Sequence, residues 1–475
     1  MQIFTKKQSV SIILLLQFLL LQIEKNMSFC RGLRHFSFIP RSRTPSGDML
    51  TLYRRNSSIK VDTETRNKKN SPLVKFVPDP FQYLQEVEVV IEDISNLGVG
   101  VGRYGSWVVM VPYTMIGETV ICSIYKNHKH YSEGELVRVV VPSKDRIEPQ
   151  CQYFGKCGGC QYQHITIAAQ RELKRNHVIS ALNRIGSLNV TVNPVLGTDE
   201  TFEYRTKLTP SYQKGKNQSE PIVGFQLRDR KSLLSIEKCI LASPAVNTAY
   251  SNLREDVIKN YRGSNMGSLN LRETLDGNDV AIDYKSVVTQ RVGNLDFNFS
   301  AGSFFQINKY ALPLLVNYVI NEATGSSCKY LIDAYCGCGL FALCASSYFS
   351  SIVGIEIDEK SVHFANTNAV INKITNVKFI KGDSKAIFAE RNDCVPLETT
   401  VIIDPPRKGC DLDFLNQLFT FKPRRIIYIS CDPATQARDS KFIVNAGYAI
   451  TNVTPFDLFP QTRHIENVIT FVLAS

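Results

Sequence analysis

The stretch "YISCDPAT", Tyr428–Thr435, carries an apolar run (Ile426, Ile427, Tyr428, Ile429) up to Ser430 and Cys431, then breaks it with Asp432–Pro433. A thiol at the carboxyl end of a strand sits where open α/β sheets present their chemistry. The thiolate is the reactive form, and it is favoured near a helix N-terminus. "PATQARD" reads as such a helix start. A buried, inert cysteine is the competing reading, and Cys431 by itself does not separate the two.

Two further stretches lie at equivalent places. "DAYCGCG", Asp333–Gly339, follows an apolar run and precedes a helical pattern. Its glycines let a ligand approach the backbone closely. Glu356, at the end of the next strand-like run, is a carboxylate placed to accept hydrogen bonds from ribose hydroxyls. The short loop lacks a third glycine, which favours a nucleoside cofactor without pyrophosphate, and S-adenosylmethionine fits better than a dinucleotide. Asp383, after the third run, is a candidate for the adenine end. "DPPRKG", Asp404–Gly409, ends the fourth run. Its two prolines stop the ladder and hold Asp404 rigidly at the same edge. A plain rigid turn is the alternative.

Cys151, Cys157 and Cys160 in "CQYFGKCGGCQYQH" are spaced like metal ligands, and Cys239 in "IEKCILAS" is the natural fourth. Spacing does not distinguish zinc from iron–sulfur. Thirteen cysteines in 475 residues are poorly explained as a disulfide framework, because so long a chain can build large cores.

These residues need a sheet to position them. From Lys329 the runs "KYLIDAYC", "SIVGIEID", "VKFIKGD", "TTVIIDPP" and "RRIIYISC" alternate with helical patterns, which predicts an α/β, doubly wound parallel sheet. The final "ENVITFVLA" is expected as an edge strand. Four or five short glycine-punctuated strands between Gln85 and Val141 predict a small barrel. The sequence therefore divides into a leader and linker (1–81), a β-barrel (82–150), a β-rich central insertion (151–297) and a Rossmann-like domain (298–475).

Composition fits a soluble globular chain, with 21% charged and 44% hydrophobic residues. Its net charge of +11 is unevenly placed. Residues 1–81 hold 14 Lys and Arg against 5 Asp and Glu, and residues 151–239 hold 13 against 7. If RNA is bound, the second surplus marks the place, at "QRELKRNH" and "RDRK"; a solvated face is the bland alternative. "SIILLLQFLLLQI" is too short to span a membrane, which takes about 20 residues, and no membrane partner is expected. From Met27 the chain is rich in Arg and Ser with no acid before Asp48, like a mitochondrial transit peptide. Mitochondrial localisation is expected, with nucleus or cytoplasm as the alternative.

Taken together, "SFFQINKY", "DAYCGCGLF", "DPPRKGC", "YISCDPAT" and "FDLFPQTRHIENV" resemble the RNA uracil-carbon-5 methyltransferases, and the likeness runs over roughly residues 85–475. The early barrel resembles that family's TRAM module. The resemblance implies methyl transfer from S-adenosylmethionine to a uridine in RNA, first the T-loop uridine of tRNA at position 54. A ribosomal uridine, or a non-catalytic tRNA-folding role, is the alternative. It implies Cys431 as nucleophile and Glu466 in "HIENV" as the base, with Gln306, Tyr335, Glu356 and Asp404, and more loosely Asp383, on the cofactor. It also implies a 4Fe–4S cluster on Cys151, Cys157, Cys160 and Cys239, and a monomer is expected.

Overall fold

Burial alternates along Glu86–Ile94 (β1), turning Val87, Val89 and Ile91 inward, as in a strand with one wet face. The computed structural model describes residues 77–474 apart from 216–218, 229–231, 264, 276, 278, 326–327 and 383–393, so the leader reading lies outside the described residues. With β2 (Val99–Tyr104), β3 (Trp107–Pro112), β4 (Thr119–Asn127) and β5 (Tyr131–Val141), β1 closes a barrel in the order β1-β2-β3-β5-β4. Closure removes the open edges. Gly100 is required, since a Cβ there would lie 1.9 Å from the Thr114 hydroxyl.

Helix α1 (Ile167–Ala181) follows, capped by the Thr166 hydroxyl, which accepts the Ala169 N–H. Its buried residues are Gln170, Lys174 and Val178, spaced four apart on one face. This corrects the expectation for "QRELKRNH". Lys174 is fully buried, while Arg171 and Arg175 donate to the carbonyls of Thr198 and Val192. Three of its cations, Arg171, Lys174 and Arg175, are thus engaged within the protein. In "RDRK", Arg228 pairs with Glu135 of the barrel, and the following residues lie outside the described set.

The central region holds two small sheets. Strands β7 (Ser211–Gln213), β8 (Ile222–Gln226), β9 (Leu233–Ser235) and β10 (Gly267–Ser268) form one. Strands β6 (Lys207–Leu208), β11 (Leu271–Glu273) and β12 (Val280–Ala281) form the other. Helix α2 (Pro244–Asn260) packs Val246, Tyr250 and Val257 into a core with Leu208, Val223 and Leu271. The hairpin β13 (Val287–Val292) and β14 (Leu295–Ser300) instead joins the core around helix α3 (Ala311–Thr324).

The large sheet contains β15 (Tyr330–Ala334), β16 (Ser351–Glu356), β17 (Val377–Lys381), β18 (Thr399–Ile403), β19 (Arg425–Ser430), β20 (Tyr448–Phe456) and β21 (Glu466–Leu473), in the order β17-β16-β15-β18-β19-β21-β20. Helices α4 (Leu340–Cys344), α5 (Glu359–Ile371), α6 (Leu412–Phe421) and α7 (Pro433–Asn445) connect the strands. Strands β15 to β19 are parallel, and the order reverses between β15 and β18, the switch point where such sheets take ligands. Ile426 and Tyr428 enter the core on one face and Ile427 and Ile429 the core on the other.

The terminal strand is not an edge. Strand β21 lies antiparallel between β19 and β20, and β20 takes the edge. Val468, Ile469 and Phe471 are fully buried, as an apolar run in a strand covered on both faces should be. Among the described residues no helix is long and apolar enough to cross a membrane.

Asn368 on α5 ties the hairpin to the glycine loop. It accepts the Asn298 N–H at 2.7 Å and donates to the Asn298 and Cys338 carbonyls at 3.1 and 3.0 Å. Asn368→Ala strands three backbone groups and should lower the unfolding free energy by about 2 to 4 kcal/mol. The readout is a lower urea midpoint; an unchanged one would show that the seam holds without this amide.

Candidate active site at the carboxyl edge of the sheet

Each strand end delivers one functional group. Ser430 of β19 pairs with Asn467 of β21, so the next position outward on each strand brings Cys431 beside Glu466. Both are buried. Burial holds the Cys431 thiol well above the ordinary thiol range; Glu466 and Asp404 push the same way, and Arg407 opposes them. Arg407 also hydrogen-bonds the Cys431 side chain. Burial, then Asp404, raises the Glu466 carboxyl well above the usual range, with Arg407 again opposing. Among the described residues neither Glu466 oxygen has a hydrogen-bond partner. A dry carboxyl of this kind beside a thiol leaves polar capacity that the fold itself does not use.

The helix start predicted after Cys431 is present, but its donors are already engaged. Asp432 accepts the N–H groups of Ala434 and Thr435 at 3.0 Å each, and its charge raises the thiol further. The favourable charge on Cys431 therefore comes from Arg407. That residue lies in the quoted "DPPRKG", where the sequence reading assigned it no role. The signal was a cation in a rigid loop one strand from the thiol.

Helix α7 grips that loop. Thr435 donates to the Arg407 carbonyl at 3.1 Å, and Arg438 donates to the Lys408 carbonyl at 2.9 Å. The Asp439 carboxylate accepts from the Cys410 N–H and the Tyr428 hydroxyl, both at 2.8 Å. The helix that follows the thiol thus also sets the loop that carries its cation.

At the switch point, Tyr335 turns the chain with a φ of +68°, followed by Gly337 at +55° and Gly339 at +89°. The Tyr335 ring packs edge-on against Phe414 at 5.5 Å. Glu356 accepts the Gly337 N–H at 3.1 Å and the Asp358 N–H at 2.9 Å. A Cβ on Gly337 would meet nothing within 4 Å among the described residues, so space lies open in front of this turn. Asp333, to which the sequence reading gave no role, is fully buried behind the cradle and accepts the Ala342 N–H at 2.9 Å.

Burial, then Glu356, pushes Asp333 up to about 7. Burial, then Asp333 and Glu356, raises Asp404 well above the carboxylate range. One oxygen of Asp333 and one of Asp404 have no partner among the described residues. Crowded, under-satisfied carboxylates around an open glycine turn suit a cationic nucleoside ligand.

Gln306 is buried in the loop between β14 and α3. Its carbonyl accepts from Arg272 at 3.1 Å, and Arg272, fully buried, also donates to the Phe305 carbonyl and to Gln290. Nothing in the sequence marked Arg272. Asp383 lies outside the described residues.

The four predicted thiols come together. Cys160 is pushed up by burial first, then by Cys239, Cys157 and Cys151, which places all four within charge range of one another. The Cys239 N–H donates to Asn247 of α2 at 3.0 Å, and the Cys151 N–H donates to Gln163 at 3.1 Å. Among the described residues, however, no three His, Cys, Asp or Glu side chains are grouped as the ligands of one metal ion would be.

Residues 268–473 match the family described as tRNA (Uracil-5-)-methyltransferase, and residues 82–137 match the TRAM domain. The chain is 37% identical to the tRNA (uracil(54)-C(5))-methyltransferase of Schizosaccharomyces pombe over 86% of this chain and 81% of the relative. It is 32% identical to the protein of that name from Saccharomyces cerevisiae, over 82% and 74%. Its fold is similar to that of the Pyrococcus abyssi tRNA (uracil-54, C5)-methyltransferase solved with S-adenosyl-L-homocysteine. The TM-score is 0.63 at 23% identity, over 81% of this chain and 100% of that one.

Asp333 sets a pH dependence. Its folded value of about 7 lies above the ordinary 3.8, so between those values the folded state holds the proton more tightly than the unfolded chain does. Its contribution favours the fold on the acid side and is lost as pH rises through about 7. Asp333→Asn keeps the acceptor for Ala342 and should flatten the fall in melting temperature between pH 5 and pH 7. An unaltered slope would remove Asp333 as its source.

Proposed function

The chain belongs to the tRNA (uracil-5-)-methyltransferase family, and on that premise we propose that it methylates carbon-5 of uridine 54 in tRNA through a covalent Cys431–uracil intermediate. The observation that carries this reading is the pairing of Cys431 with a buried, unpartnered Glu466 beside an acidic glycine cradle.

When bound, S-adenosylmethionine supplies the electrophilic methyl group that carbon-5 takes. Tyr335, Glu356 and Asp404, with Gln306 and Asp383, are the residues proposed to hold it. The open turn at Gly337 and the carboxylates around it support that fit. Carbon-5 of uracil is a weak nucleophile. The Cys431 thiolate, stabilised by Arg407, forms a bond to carbon-6, and the ring electrons move to the carbon-4 oxygen as an enolate. After carbon-5 is alkylated, Glu466 takes its proton. The C–H electron pair restores the carbon-5–carbon-6 double bond, the carbon-6–sulfur bond breaks, and the thiolate returns to Arg407. A raised proton affinity suits a carboxylate that must accept a proton from carbon. The target base has to leave its stack for this chemistry.

We further propose that Cys151, Cys157, Cys160 and Cys239 hold a 4Fe–4S cluster that staples the central region. The charge that Cys239, Cys157 and Cys151 exert at Cys160 supports a shared site for the four thiols, and the resemblance to the family favours the cluster over zinc. Protein purified without oxygen should contain iron and sulfide in equal amounts, and Cys239→Ser should lose both. Zinc in their place would refute the cluster. For the leader we retain the mitochondrial reading, checked by sequencing the mature N-terminus.

Incubation with labelled cofactor and unmodified tRNA, followed by nucleoside analysis, should yield 5-methyluridine at position 54. Cys431→Ala should abolish it, and Glu466→Gln should slow turnover by about a hundredfold to ten-thousandfold. Transcripts containing 5-fluorouridine should trap the active protein through Cys431, because fluorine cannot leave as a proton does. Product formation by Cys431→Ala would falsify the covalent route.

A further inference from the structure

Strand β20 ends at Phe456, which pairs with Glu466 at the start of β21. The segment between them, Asp457–Ile465, has no regular hydrogen-bonded structure to hold it, yet it leads directly into the proposed base. Helix α1 holds it from outside the sheet. Lys174 and Asp457 are fully buried side chains whose Nζ and Oδ1 lie 2.5 Å apart, and the same ammonium donates to the Phe459 carbonyl at 3.1 Å. One turn earlier on the same face, Gln170 forms a reciprocal amide pair. Its Nε2 donates to Gln461 Oε1 at 3.0 Å, and its Oε1 accepts the Gln461 N–H at 2.9 Å.

Gln461 turns the segment with a φ of +71°, and its carbonyl accepts the N–H groups of Gln161 and Tyr162. Beyond it, Arg463 donates to the Asn96 carbonyl in the β1–β2 turn of the barrel at 2.9 Å.

A buried ion pair is a poor route to stability, since apolar side chains of similar size often do as well. Here the buried face of one helix places a lysine and a glutamine four residues apart, and both are used on a single loop. Polar pairing of that kind specifies one geometry. Resting on the reading of Glu466 as base, we propose that Lys174 and Gln170 are positioning residues that set the Asp457–Ile465 segment so that the Glu466 carboxylate meets the carbon-5 proton. They touch no reacting atom, and they act on the last step, proton removal with release of the thiolate, more than on sulfur addition.

The test uses the full chain with tRNA under single-turnover conditions, following both methyl transfer and the fraction of protein held covalently on RNA in denaturing gels. Lys174→Met with Asp457→Leu removes both charges together. It should melt near the parent, bind cofactor and form the adduct normally, yet release methylated tRNA about ten to a hundredfold more slowly, the penalty for misplacing a catalytic group by about 1 Å. Covalent complex should therefore accumulate. Gln170→Met, which leaves every charge in place, should show the same accumulation to a smaller degree. Release at the parental rate by either folded variant overturns the proposal. Glu466→Gln is the reference: if it too releases normally, the base assignment itself fails, whereas its accumulation with normal release by the α1 variants defeats only the positioning role.

Discussion

The antiparallel register of β21 against β19 is the constraint on which the proposed chemistry rests. Ser430 faces Asn467, so a thiol that ends one strand meets a carboxyl that begins another. A slip of one residue would turn every side chain of β21 to the opposite face and carry Glu466 away from the sulfur. Gln436 of α7 pins the register at this end. Its amide donates to the Tyr428 carbonyl at 3.0 Å and the Asn467 carbonyl at 3.1 Å, while Asn467 donates to its oxygen at 2.8 Å. One helix therefore locks both strands and, through Thr435, Arg438 and Asp439, the loop that carries Arg407.

The second organising force is a crowd of buried carboxyl groups. Asp333, Glu356, Asp404 and Glu466 crowd the strand ends, and burial raises the proton affinity of Asp333, Asp404 and Glu466. Such crowding costs stability in the empty protein and is relieved when a cation binds. Arg407 sits within this field, bonded to the thiol, and opposes the carboxylates at the sulfur. The proposed chemistry thus has carboxyls on the cradle side and a cation at the sulfur on the other.

Parts remote in sequence converge on the segment before Glu466. Tyr204, whose proton affinity burial raises first and the thiols Cys160 and Cys239 raise further, donates to the Pro460 carbonyl at 3.1 Å. The barrel turn accepts from Arg463, and α1 holds Asp457 and Gln461. The region of the four thiols, the barrel and the helix between them all bear on one loop. This gives a physical reason for the modules to be packed together rather than tethered.

The apolar runs of β15 to β19 and the helices between them were legible in the sequence because period and punctuation are local properties. So were the places of Glu356, Asp404 and Cys431, since a residue that ends a predicted strand needs no partner to be located. What the sequence left undetermined was lateral. "ENVITFVL" read as an edge because nothing local says which strands lie beside it, and only packing on both faces makes it interior. "QRELKRNH" read as a cationic surface because charge is visible in a sequence while the partner of Lys174, 283 residues away, is not. Arg272 and the charge balance between Arg407 and Cys431 were hidden for the same reason. Electrostatic roles depend on distance and dielectric, and tertiary structure alone sets both.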